Sequence, residues 1–133
     1  MTPYVIGLTF DLRSEHNARG LSPEESAEYT EDETIDALQE TLQQLGHRVD
    51  RIGNVFQLVQ RLASVDPYSD DERPWDLVVN LCEGIRGRGR SSQVPALLDA
   101  YSIRYTFADA GTLSLVLDKA QTKVRGHYFP KWV

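Results

Sequence analysis

The chain has 133 residues, a formal net charge of −6 and 41% hydrophobic residues. These values are typical of one globular domain and too apolar for a disordered chain. The negative charge argues against nucleic-acid binding, because non-specific binding needs a basic surface that displaces counterions from phosphates. One cysteine excludes an internal disulfide, and there is no basic leader or long apolar segment. We therefore expect a cytoplasmic protein that does not engage membranes.

The first part of the chain predicts a strand followed by helical segments. An apolar run at 4–10 predicts a buried first strand. The motif that begins at Ser22, SPEE, predicts a helix start, and Thr30 opens a second capping box. The apolar residues that follow have the spacing of one helical face and end before Gly46, which fits the C-terminal end of a helix. They are Ile35, Leu38, Leu42 and Leu45.

The middle of the chain continues with strands and helices in alternation. Residues 47–53 predict a second strand, and Asn54 can cap the helix after it. Residues 76–84 are nearly all apolar, as expected of a strand that is covered on both faces. Ser92 can cap the next helix, and residues 103–107 predict a fourth strand.

The order of these elements predicts the fold class. A last helical face is formed by Leu113, Val116, Leu117, Ala120 and Val124. Strands that alternate with helices predict an α/β domain with a mostly parallel four-stranded sheet, arranged in three layers as in Rossmann-like domains. Ligands of such sheets bind beyond the carboxyl ends of the strands, so we expect the loops at 11–20, 83–91 and 108–112 on one rim.

The stretch LCEGIRGRGR at 81–90 follows the third predicted strand. Its glycines permit close approach of the backbone to a ligand, and its N–H groups together with the next helix N-terminus favour an anion. It matches neither the GxGxxG nor the GxxxxGK[ST] nucleotide motif. The residues alone leave open an anion site and a flexible, solvated turn.

Two carboxylates are expected on this rim. Glu83 ends the third strand and Glu15 follows the first. Either could hold an ammonium group or orient a water, and the alternative for each is a solvated or arginine-paired carboxylate. Cys82 has apolar neighbours and is interpreted as a buried core thiol. The three histidines have no metal-ligand spacing, so we expect no metal site.

Residues 80–123 resemble the D-alanine–D-alanine ligase family of ATP-grasp enzymes. The matching features are the glycine-rich loop, Gln93 ten residues after Glu83, and the runs PALLDAYSIRYTF and LDKAQTK. With the first strand and its Ser-Glu pair, the resemblance covers nearly all of residues 4–124. It implies an N-terminal α/β domain of the pre-ATP-grasp type over 1–124. Residues 125–133 break the helical pattern with Gly126 and Pro130, so we expect an irregular tail there. We expect the central and C-terminal ATP-grasp domains to be absent.

The resemblance implies a chemistry and a set of positions. The family joins two D-alanines with ATP and magnesium through an acyl phosphate. The substrate-side positions implied here are Ser14, Glu15, Glu83, Gly84 and Arg88. Lys119, in the LDK motif, is implied to contact the phosphates of ATP. Neither ATP nor magnesium is expected to bind tightly to this chain alone.

The chain departs from the family pattern at the third-strand loop. The well-studied ligases have a histidine at the position of Glu83 and an acidic loop where this chain has GRGR. Arginines at these positions favour a more anionic ligand.

Three functions remain open from the sequence. The first is the substrate-side domain of a ligase-like enzyme that acts on a small amino acid and is inactive alone. The second is a stand-alone ligand-binding or homodimerisation module. The third is a small independent enzyme that uses Glu15 and Glu83 as a carboxylate pair.

Overall fold

The computed structural model describes residues 3–27 and 29–106. Its elements, in chain order, are β1 (Val5–Phe10), α1 (Arg13–Ala18), α2 (Asp32–Gln44), β2 (Arg48–Gly53), α3 (Val55–Leu62), β3 (Leu77–Leu81), a 3-10 turn (Arg90–Ser92) and α4 (Gln93–Ala100). The predicted final helix at 113–124, with Lys119, lies outside the described residues, and so does the predicted tail at 125–133.

The sheet of the described residues has three parallel strands in the order β2-β1-β3. Val5 lies opposite Arg48 on one side, and Ile6 lies opposite Leu77 on the other. The central strand, β1, is buried from Ile6 onwards because strands flank both of its edges and helices cover its faces. The predicted α/β class and the parallel sheet are confirmed.

Helices cover the two faces of this sheet. On one face, Ile35 of α2 packs against β1 side chains, and Leu38 and Leu42 extend the same contact. On the other face, Leu58 of α3 and Leu98 of α4 pack with β3. The β1 side chains on the α2 face are Ile6, Leu8 and Phe10, and the β3 side chain at the centre of the other face is Val78. The result is a three-layer arrangement compatible with a Rossmann-like domain.

The prediction of a four-stranded sheet is wrong for the described residues, which form three strands. At the predicted strand 103–107, Tyr105 makes only an isolated parallel bridge with Val78. The Val78 N–H donates to the Arg104 carbonyl at 2.8 Å, and the Thr106 N–H donates to the Val78 carbonyl at 2.9 Å. Ile103 instead packs into the core, and its N–H donates to Leu98 at the end of α4, so pairing with β3 begins only at Arg104.

The predicted capping box at Thr30 does not form, because the Thr30 backbone pairs with the segment after β1. Its N–H donates to the Asp11 carbonyl at 2.8 Å, and its carbonyl accepts from the Arg13 N–H at 2.9 Å. Glu31 therefore takes the N-cap position of α2. Leu45, expected on the buried stripe, is 56% exposed because α2 ends one residue before it.

Three further local predictions differ from the structure in part or in full. Ser22 and Glu25 exchange the predicted capping hydrogen bonds, each at 3.2 Å, but the segment forms a turn and not a helix. The hydroxyl of Ser92 does not cap α4 and donates instead to the Gly89 carbonyl at 2.7 Å. The segment Arg13–Ala18, expected as a loop, is helix α1.

Candidate ligand-binding site

The candidate site lies at the carboxyl ends of β1 and β3, which are neighbours in the sheet. After β1 the chain continues to α2 on one face, and after β3 it continues to α4 on the opposite face. Adjacent strands whose connections leave toward opposite faces open a crevice between them, and open α/β sheets bind ligands there.

Asp11 is the buried carboxylate at the carboxyl end of β1, beside this crevice. It directly follows β1 and is 1% exposed. Its Oδ2 accepts hydrogen bonds from the backbone N–H groups of Glu83 at 3.0 Å and Gly84 at 3.3 Å. One buried carboxylate therefore joins the end of β1 to the loop after β3.

His16 and Tyr29 lie beside this carboxylate. The Nε2 atom of His16 is 3.6 Å from Asp11 Oδ1, and neither atom has a hydrogen bond among the described residues. The imidazole ring, which is buried in α1, stacks on Tyr29 with 4.1 Å between centroids. The Tyr29 hydroxyl donates to the Gly84 carbonyl at 3.4 Å. Asp11, His16, Tyr29 and Gly84 thus form one buried polar cluster.

Burial sets the electrostatics of the cluster. It raises the pKa of the Asp11 carboxyl above its ordinary value, and this outweighs the lowering by the Glu83 N–H and by His16. The carboxylate is consequently less stable here than in water, although two amides solvate one of its oxygens. The other oxygen faces His16, which places a proton acceptor beside an imidazole at the base of the crevice.

A cavity of about 310 Å³ opens above the cluster, and we call it the rim cavity. Residues that follow all three strands line it, which is the arrangement expected at a strand-end site. They include Glu15, His16, Tyr29, Asn54, Phe56 and Arg86. The rim cavity therefore combines one carboxylate, the guanidinium groups of Arg19 and Arg86, and aromatic side chains.

Glu15 is the carboxylate of the rim cavity. Its Oε1 accepts from the Asn54 side-chain amide at 3.4 Å and lies 3.5 Å from the guanidinium of Arg19. The Arg19 side chain is 73% exposed, so this ion pair is weak. Both contacts use Oε1, which leaves Oε2 without a hydrogen bond within the described part of the chain. Glu15 thus lines the rim cavity, and its role toward a substrate stays a prediction.

The backbone of the glycine-rich loop is held from inside the protein. Gln93 at the start of α4 accepts from the Ile85 N–H at 3.2 Å and donates to the Arg86 carbonyl at 2.8 Å. The first three N–H groups of the loop, at Glu83, Gly84 and Ile85, thus have internal acceptors. A phosphate cradle would need such groups to be open to the ligand, so this geometry argues against a phosphate cradle at the start of the loop.

Gly84 has a structural requirement of its own. Its φ of +86° lies in the region that favours glycine, and a Cβ there would overlap the carbonyl of Arg90. Its buried N–H and carbonyl both belong to the polar cluster. These contacts account for a glycine at this position without a ligand.

Three other predicted substrate residues, Ser14, Glu83 and Arg88, do not line the rim cavity. Ser14 is exposed, and its hydroxyl donates to Asp32 Oδ1 at 2.7 Å. Glu83 is exposed, and its carbonyl accepts from the Ser91 hydroxyl at 3.3 Å. Neither Glu83 nor Arg88 is among the described residues that line the rim cavity. Their role toward a substrate stays a prediction, as does that of Lys119, which lies outside the described residues.

The sequence interpretation missed the residues that build the crevice. It assigned no role to Asp11 and considered His16 only as a metal ligand. Asp11 follows a buried strand, and this is the signal that singled out Glu83, so it could have been found. Nothing local marks Tyr29, because its partners Gly84 and His16 are distant in sequence or on another element.

Cys82 is a buried thiol, as expected. Burial and the nearby negative charge of Asp11 raise its pKa well above the ordinary value, so it remains protonated at neutral pH. Within residues 3–27 and 29–106, no three His, Cys, Asp or Glu side chains are grouped so that they could hold a metal ion. The described residues thus do not provide a fit for the magnesium that the resemblance implies.

No helix in the described ranges is both long and apolar enough to cross a membrane. Comparisons with protein-family models, curated proteins and solved structures gave no match to this chain.

Proposed function

We propose that the chain is the substrate-side domain of a D-alanine–D-alanine-ligase-like, ATP-dependent carboxylate–amine ligase. In this proposal the rim cavity holds a small amino acid, and the protein acts in the cytoplasm. The observation that carries the proposal is that the cavity is lined by Glu15 after β1 and by Arg86 after β3. One side chain complements an ammonium group and the other complements a carboxylate.

The rim cavity carries charges of both signs, Glu15 against Arg19 and Arg86, so both ends of a zwitterion can find a partner in it. Oε2 of Glu15 is the acceptor for the ammonium group. Arg86 is exposed, and its guanidinium forms no ion pair within the described residues, so it can grip a carboxylate through two parallel hydrogen bonds. Phe56 adds an apolar part to the wall of the cavity. The negative net charge of the chain does not oppose such a ligand, because the ligand has no net charge.

The proposal makes the chain alone inactive. Joining a carboxylate to an amine requires both substrates and the phosphoryl donor to be held in reacting geometry. Lys119 and the ATP-grasp domains are assigned to phosphate and magnesium by the resemblance alone. We expect no ADP release when the chain is mixed with ATP, magnesium and D-alanine, and measurable turnover would contradict this part of the proposal.

The binding step can be tested by titrating the isotopically labelled chain with D-alanine and following backbone NMR shifts. We expect millimolar affinity, since one domain supplies only part of a substrate site. The shifts should concentrate at Glu15, Asn54 and Arg86. Acetate and ethylamine, which each carry one of the two charges, should bind more weakly than D-alanine.

Substitution of Glu15 gives the matched test. Glu15→Gln should weaken D-alanine binding about tenfold, because a charge-assisted hydrogen bond is replaced by a neutral one. Glu40→Gln removes a carboxylate from an exposed position on α2 and should leave the affinity unchanged. Equal affinities for Glu15→Gln and the unmodified chain would overturn the assignment of the ammonium group to Glu15.

A second candidate is a homodimerisation module. The observation that favours it is the exposure of Phe56 and Val59 on α3, at 53% and 47%. A second copy could cover this apolar surface. Sedimentation equilibrium at increasing concentration would then give a dimer, and Val59→Asp would dissociate it. A monomer at all accessible concentrations would reject this candidate.

A further inference from the structure

The rim cavity shares a wall with a larger groove. The groove has a volume of about 510 Å³ and lies between α3 and α4, so we call it the α3–α4 groove. Phe56, Ile85 and Arg86 line both spaces. A ligand in the rim cavity therefore lies directly beside the groove.

The walls of the α3–α4 groove are mainly apolar. Val55 and Val59 contribute from α3, and Ala96 and Leu97 contribute from α4. The polar exceptions are Gln93 and Arg86 at the end near the glycine-rich loop. This distribution suits an occupant with one charged end and one apolar end.

The junction between the two spaces is held in place. Gln93 fixes the backbone of Ile85 and Arg86 through one accepted and one donated hydrogen bond, at 3.2 and 2.8 Å. On the opposite side, Asn54 caps α3 by accepting from the Phe56 N–H at 3.0 Å. The shared wall is thus built from anchored backbone on both sides, so its shape is largely formed before a ligand binds.

We propose that the ligand of this site is an amino acid with a branched aliphatic side chain, whose side chain lies in the α3–α4 groove. This inference rests on the proposed function for the zwitterionic head of the ligand. An α-carbon carries the ammonium, the carboxylate and the side chain as three separate substituents. With the ammonium at Glu15 and the carboxylate at Arg86, the side chain can extend into the apolar groove that Arg86 shares with the rim cavity.

Charge complementarity favours this occupant over a second copy of the chain. Arg86 lines the groove and is exposed, so its guanidinium can pair with an anionic group of a ligand. A free amino acid supplies that carboxylate one bond away from the α-carbon that carries the apolar group. Burying each additional methylene in the groove should tighten binding about fourfold.

The test compares D-alanine with D-leucine by NMR titration of the full chain. D-leucine should bind at least about tenfold more tightly, because its additional carbons are buried in the groove. Val59→Asp, at an exposed position on α3, should reduce this ratio to near one. Gln60→Asp places the same charge on the adjacent exposed residue, which does not line the groove, and should preserve the ratio.

The outcomes separate this inference from the proposed function. Binding of both amino acids with equal affinity overturns the groove assignment and leaves the zwitterion site standing. A D-leucine preference that survives Val59→Asp also overturns the groove assignment. If neither amino acid binds, both the inference and the proposed function fail. If the chain forms a dimer that Val59→Asp dissociates, and D-leucine is not preferred, the groove is a contact surface for a second copy of the chain. This result would overturn the inference.

Discussion

Asp11 shows how one residue can organise a site without facing the ligand. Its two carboxylate oxygens have different tasks: Oδ2 holds the backbone after β3, and Oδ1 lies beside His16. Removal of an acceptor for two backbone amides, one of them buried, would leave these groups unsatisfied, which costs about 1–3 kcal/mol for each buried group. The geometry of the rim cavity therefore depends on a residue beneath it.

We expect the Asp11 carboxyl to give the protein a characteristic pH dependence. Its pKa is raised in the folded state, so its stabilising contribution is complete below the pKa of the unfolded chain and is lost as pH rises through the folded value. Asp11→Asn cannot ionise, and the loss of stability above about pH 4 that is due to this group should disappear. Urea unfolding of the variant and of the unmodified chain between about pH 3 and pH 7 measures the difference.

Two comparisons make this prediction specific. Asp11→Ala should be less stable than Asp11→Asn, because the asparagine oxygen can still accept from the amides of Glu83 and Gly84. Asp36→Asn removes an exposed aspartate that is paired with Arg51 at the surface, and it is the matched control for the loss of one carboxylate. Identical pH profiles for Asp11→Asn and the unmodified chain would show that Asp11 does not titrate as described.

Sequence reasoning reached some of these residues and missed others for a physical reason. Glu15 could be placed on the rim because strand ends of a parallel sheet meet at one edge. The hydrogen bond of the Glu83 N–H could not be predicted, because its acceptor is the carboxylate of Asp11, 72 positions away in the chain. The position of the Arg86 side chain in the same cavity as Phe56 could not be predicted, because it follows from tertiary packing.

At the scale of elements, α3 is the segment whose sequence predicted its structure best. Asn54 accepts from the N–H groups of Phe56 and Gln57, and the Gln57 side chain accepts from the Asn54 N–H at 2.9 Å. This complete capping box was expected only as a cap at Asn54. The cap also determines where Phe56 stands, and hence one wall of the rim cavity.

We expect Asn54→Ala to destabilise the fold by about 1–2 kcal/mol, since it removes the acceptor for two N–H groups of the first turn. Asn54→Ser keeps a capping oxygen but loses the amide contact with Glu15 Oε1. Urea unfolding should therefore place the serine variant close to the unmodified chain. If serine were as destabilising as alanine, the Glu15 contact would be the dominant interaction of Asn54.

The elements that sequence reasoning placed correctly have strong local signals. β1 and α2 carry apolar patterns with the periods of a strand and a helix. Helix α1 was missed because Arg13–Ala18 has no apolar stripe; its one buried residue is His16. The N-cap of α2 is Glu31 and not the predicted Thr30, because the Thr30 backbone pairs with the segment after β1. A local capping pattern cannot reveal such a long-range contact.

For the molecule as a whole, the position of β1 dominates the architecture. It pairs with β2 on one side and β3 on the other, and side chains from both helical layers converge on this sheet. Any opening that frees β1 must break both ladders. The stability of the domain is therefore concentrated at its centre.

Amide hydrogen exchange should show that the centre of the sheet is the most stable part of the domain. We expect the amides of β1 to exchange most slowly, through opening of the whole domain. In β2, the amides that point away from β1 should exchange much faster than those that donate to it. NMR-detected exchange in deuterated buffer compares the two sets within one sample. Equal protection of both sets in β2 would show that another segment covers its outer edge.

The central position of β1 also determines when the sheet can be completed during synthesis. Tyr4 meets His47 and Thr9 meets Asn80 across 43 and 71 positions of chain. During synthesis, β1 leaves the ribosome first and must wait for β2, and its second edge remains open until β3 has cleared the exit tunnel. Translation thus releases the most buried strand of the sheet long before its last neighbour. Throughout that interval, the open edge is the part of the growing chain that a chaperone would have to shield.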